Sequence, residues 1–167
     1  MKRLTALLRP TLIALALGFT TLNANAATPA GFVDDASAKG LAEIQTSELA
    51  LQKSQSADVK KFAQTMIDDH TAANKELAQV AAKLNLKVAD QAELMARAKK
   101  MVLEYREESF DKAYANNQVV AHEQTIQLFK DEIETSQTPE LKAFAQKTLP
   151  KLEHHLQEAK TLQAKHK

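Results

Sequence analysis

Apolar residues recur every three to four positions along most of this chain, the spacing of one face of an α-helix. A first long helix is predicted over 32–55. A second, over 57–86, carries the stripe Val59, Ala63, Met66, Ala73, Leu77, Val80 and Leu84. A third, over 110–135, aligns Val119, Ile126, Phe129 and Ile133, and a fourth, over 139–165, aligns Leu141, Ala145, Thr148, Leu152, Ala159 and Leu162. Between the second and third, "AELMARAKKMVLEY" reads as a shorter helix. Its Leu94, Met95, Met101 and Val102 are placed to lie along the outside of a bundle as a crossover. Pro150 should kink the last helix, because it removes a backbone donor and crowds the preceding turn.

Composition agrees with an all-α chain. Ala, Leu, Gln, Lys and Glu are good helix formers, there are 3 Gly and 4 Pro, and Asn-Gly and Asp-Gly hairpin signals are missing. The first residues stand apart. Met1, Lys2 and Arg3 give a basic start, 4–19 is mostly apolar, and Ala24-Asn25-Ala26 is a small-x-small cleavage pattern. This reads as a secretory signal peptide over 1–26, too short and too interrupted by Arg9-Pro10 for a membrane span. It leaves one domain over 27–167, destined for the periplasm, with no transmembrane segment after processing. Lys2, Arg3 and Arg9 depart with it, so 22 basic residues become 19 against 21 acidic ones, a formal charge of −2. Nothing in the chain resembles a nucleic-acid footprint, which needs a clustered positive excess, and no nucleic-acid partner is expected. Cysteine is absent although export implies an oxidising compartment, so packing alone must hold the fold.

One sentence is written twice. "SQSADVKKFAQ" at 54–64 and "SQTPELKAFAQ" at 136–146 share six of eleven positions, 82 residues apart. Each copy has a polar pair before a helix start, with Ser56 and Thr138 as N-cap hydroxyls and Pro139 at a first helical position. Each therefore marks the turn of a helical hairpin, and two similar hairpins packed together make a four-helix bundle.

The histidines carry the candidate chemistry. His70 lies on the second helix's stripe, His122 on the third's and His155 on the fourth's; His154 flanks the core and His166 falls in a solvated tail. Aligning the repeats pairs His70 with His155 and His122 with Glu43. Glu43 and His70 lie 13 and 14 residues from Ser56; His122 and His155 lie 16 and 17 from Thr138. In either bundle topology the four meet near one level, one per helix. One carboxylate and three imidazoles suit Zn²⁺, Cu²⁺ or Fe²⁺. Asp69, Glu123 and Tyr114 are candidates to orient a ligand. Glu48 is a rival acid on the first helix, on a face with Leu41, Ile44 and Leu51.

"LAEIQTSELA", "KKFAQTMIDDHTAANKEL", "FDKAY", "VVAHEQTIQLF" and "LKAFAQKTLPKLEHHL" together resemble the exported bacterial domain-of-unknown-function family 4142. That family is often labelled a putative membrane or outer-membrane protein. The resemblance implies a ferritin-like bundle and brings no established activity. Di-iron proteins of that fold use Glu-x-x-His pairs. Here Ile67 stands three before His70, Leu152 three before His155 and Lys151 three before His154, so a two-iron site is not expected. No Ser/His/Asp arrangement, reactive cysteine or phosphate loop points to an enzyme. The sequence thus supports a transition-metal site at Glu43, His70, His122 and His155, with stress tolerance as the expected role. The alternative is a metal-free buried polar network inside a cell-envelope interaction module, whose charged outer faces would meet a protein partner.

Overall fold

The computed structural model describes residues 28–102 and 110–167, with side chains of the third helix described as far as Ala96. The expected signal peptide and the side chains of Met101 and Val102 lie outside the described residues. Five helices form, α1 (Pro29–Lys53), α2 (Ala57–Lys83), α3 (Gln91–Val102), α4 (Phe110–Thr135) and α5 (Pro139–Lys165), with no strand among the described residues. None is long and apolar enough to cross a membrane.

Local chemistry sets the ends. α1 starts three residues before its expected position, because Pro29 occupies the first helical turn and the Thr28 hydroxyl accepts from the Gly31 amide (3.1 Å). α2 stops at Lys83, short of the expected 86, as the chain turns through Asn85 at φ 52°. α5 runs unbroken through Pro150. The two tight turns differ from expectation in their capping. Neither Ser56 nor Thr138 caps its helix through its side chain. Instead the serine two positions earlier closes each turn: Ser54 Oγ accepts from the Ser56 amide (3.0 Å) and Ser136 Oγ from the Thr138 amide (3.2 Å). The first serine of the repeated stretch, not the third residue, carries the local bond.

α1 packs most extensively on α2, and α4 on α5. Both pairs are antiparallel, with Asn74 on the Ser37 carbonyl in one and Lys130–Glu153 and Glu123–Lys160 pairs in the other. α1 also runs antiparallel to α4, since Glu43 meets Gln118 while Ser47, further along, meets Tyr114. α2 and α5 oppose each other through Glu76–Lys147 and Asp69–Lys151. It follows that α2 and α4 point the same way, so the chain must return along the bundle between them. α3 makes part of that return against α1, with the buried Leu94 and with Gln45 on Met95 Sδ (3.4 Å). α1 is therefore covered on three sides by α2, α3 and α4. Small residues make this possible. A side-chain carbon at Gly40 would collide with the Asn74 amide.

The apolar core is split. One cluster holds Phe32, Leu77, Phe129, Phe144 and Leu152; the other holds Val59, Phe62, Met66, Val119 and Leu162. Between them lies a layer of buried polar side chains: Glu43, His70, Gln118, His122 and His155. Small domains usually keep one contiguous core. Interrupting it with five polar groups costs stability, and such local violations concentrate at functional sites.

Candidate metal centre

Three of the four expected residues come together in one cluster. His70 from α2, His122 from α4 and His155 from α5 each offer one nitrogen, and these lie within 4.8 Å of one another. Their ring centroids form a nearly equilateral triangle with sides of 5.7, 5.6 and 5.5 Å. Glu43 shares the layer but not this group: its carboxylate accepts from Gln118 Nε2 (2.6 Å). Burial raises its pKa, against the opposing pull of His122, Gln118 and Lys39.

Hydrogen bonding sets the tautomers. The Gln118 carbonyl can only accept, so His122 Nδ1 carries a hydrogen and donates it (2.8 Å). In the neutral ring Nε2 keeps its lone pair. His155 Nε2 donates to Asp69 Oδ2 (2.9 Å), which leaves Nδ1 with the lone pair. His70 Nε2, His122 Nε2 and His155 Nδ1 are all buried and find no hydrogen-bond partner among the described residues. Burial, with the neighbouring His122 and His155, lowers the His70 pKa to about 3. Burial also lowers His155 to about 4, although the Asp69 hydrogen bond opposes it. At neutral pH both rings are uncharged, the form that binds a metal.

Asp69 joins the site to the surface. It also accepts from Lys151 Nζ (2.7 Å). Burial works against its charge, but the bonds from Lys151 and His155 hold its pKa below the usual carboxylate range. Of the three candidate orienting residues, Asp69 is the one bonded to a histidine of the cluster. Glu123 instead pairs with Lys160 at the surface, and Tyr114 with Ser47 (2.9 Å), burial raising the pKa of its phenol. Glu48 and His154 are exposed, His154 beside Glu158. His166 is not a free tail residue: it is partly buried and lies 3.2 Å from Asp58. Gln118 was not foreseen, yet it links Glu43 to His122. Its position one helical turn before His122, on the same face, was the available signal.

This donor set fits a metal. Tetrahedral ligands on bonds of about 2.0–2.1 Å sit about 3.4 Å apart, so the three nitrogens need close in only modestly. Two of the rings already have their other nitrogen fixed by an acceptor, the usual arrangement of histidine ligands. The chain is a helical bundle with a buried histidine cluster. It matches the family model "Domain of unknown function (DUF4142)" over residues 16–162, and it belongs to that family. No curated protein and no solved structure matches it.

Proposed function

We propose that this protein binds a single transition-metal ion through His70, His122 and His155, with Glu43 as a buried carboxylate in the same layer. The observation that carries the reading is the set of three unpartnered imidazole nitrogens. Buried polar atoms are nearly always satisfied. Three orphans cost on the order of 3–9 kcal/mol together, comparable with the whole stability of a small domain. A purely structural network would close on itself; this one is open at its centre. An imidazole set suits Zn²⁺, Cu²⁺ or Fe²⁺.

The helix order supports a ferritin-like class: two antiparallel pairs, α2 and α4 parallel, and a long return between them. The missing Glu-x-x-His pairs separate it from di-iron members of that class. We further propose that the chain is exported and cleaved before Ala27, placing the site in the periplasm. Intact mass of the periplasmic protein should then correspond to 27–167; a retained Met1 would contradict export with cleavage. Elemental analysis of untagged protein, purified from that compartment without chelator, tests the metal. A bound ion that is lost in His122→Ala is expected. Absence of any transition metal would favour the closed-network alternative.

A further inference from the structure

A small cavity of about 20 Å³ lies beside the cluster, walled by all four long helices, with Gly40 of α1, Asp69 and His70 of α2, Thr125 of α4, and Thr148 and His155 of α5. A water molecule needs roughly 10–15 Å³ of such space, so the cavity holds one. It touches two of the three histidines that carry an unpartnered nitrogen.

Toward α1, Glu43 and Gln118 are bonded to each other. Along the bundle the two apolar clusters stand on either side, Phe129 and Phe144 in one, Phe62 and Met66 in the other. On the α2–α5 side the Asp69–Lys151 pair stands at the surface, and the Lys151 side chain is half exposed. Three protein ligands leave a metal at least one coordination position, as in catalytic rather than structural sites.

Building on the metal reading above, we infer that this open position faces the cavity walled by His70 and His155 and takes an exogenous ligand of one or two heavy atoms. At rest the ligand is water or hydroxide. Thr148 lines the same space. A larger ligand exceeds the cavity's 20 Å³ and would have to displace its walls.

The test uses the full chain loaded with Cu²⁺ after chelator treatment, followed by electron paramagnetic resonance. Couplings from histidine nitrogens report that the site has formed. The spectrum should broaden in water enriched in magnetic oxygen and gain a splitting from added fluoride, while imidazole leaves it unchanged. Thr148→Leu and, independently, Ala73→Leu should fill the cavity, keep the nitrogen couplings and lose both responses. A nitrogen-coupled signal indifferent to labelled water and fluoride would overturn the inference and leave metal binding intact. Displacement of water by imidazole, or variants that still respond, would overturn the cavity assignment. Absence of nitrogen couplings would sink the metal reading itself, and the inference with it.

Discussion

Replacing His70 by Leu should stabilise the metal-free protein, and most of all in acid. His70 is 6 % exposed and its Nε2 is unpartnered. Leu removes that orphan, worth about 1–3 kcal/mol, and a swap of similar volume costs less than about 1.5 kcal/mol in misfit. The pH dependence gives the sharper figure. Burial lowers the folded pKa from 6.5 to about 3. Above 6.5 neither state binds a proton, and the full stability is present. As pH falls below 6.5 the unfolded chain takes up a proton that the fold refuses, so stability is lost progressively down to about 3. At pH 5 the deficit is one and a half units at 1.36 kcal/mol each, about 2 kcal/mol. His155, lowered to about 4, adds a loss in acid that both proteins share, so it cancels from the difference. Glu43, raised by burial, acts in the opposite sense but is present in both proteins. Urea melts at pH 7.5 and pH 5, with chelator throughout, should therefore show the variant's advantage growing by about 2 kcal/mol in acid. An advantage that stays constant between the two pH values would refute a neutral, desolvated His70.

Two further substitutions probe the core and the orienting acid. Phe144→Ala should cost about 3–5 kcal/mol in a denaturant melt, since the ring is 4 % exposed and packs 5.9 Å from Phe129; a loss under about 1 kcal/mol would contradict its core position. Asp69→Ala removes the acceptor that fixes the His155 tautomer, so metal affinity measured by competition with a chromophoric chelator should fall about 10–100-fold; unchanged affinity would detach Asp69 from the site.

The periodicity carried much of the fold. Stripes through Met66, Phe129 and Leu152 located the buried faces of α2, α4 and α5, because those helices each bury one side. α1 was less legible. Leu41, Ile44 and Leu51 are only partly buried, whereas Ala38, Ser47 and Ala50 are fully so. A helix covered on three sides needs small residues more than large apolar ones, and no stripe marks them. Of the site, the histidines were readable because a 3.6-residue period places them inward. Glu43 was readable as buried, but not its capture by Gln118, which depends on how α1 and α4 slide past each other. The roles of Asp69, Glu123 and Tyr114 were indistinguishable in sequence for the same reason: each lies near a histidine, and only the packing of α2 on α5 chooses among them.

The account turns on whether the histidine cluster binds a metal in the folded chain. A ligand that binds only the native state stabilises it by mass action, by about 2.7 kcal/mol at a hundredfold excess over its dissociation constant. The decisive measurement is the melting temperature of chelator-treated protein titrated with Zn²⁺, Cu²⁺ and Fe²⁺ at pH 7.5. At least one ion should raise it progressively, saturating at one per chain; excess chelator should reverse the rise, His122→Ala should abolish it, and exposed His154→Ala should leave it intact. A melt that ignores all three metals and the chelator, or a response that survives His122→Ala, would contradict the central claim.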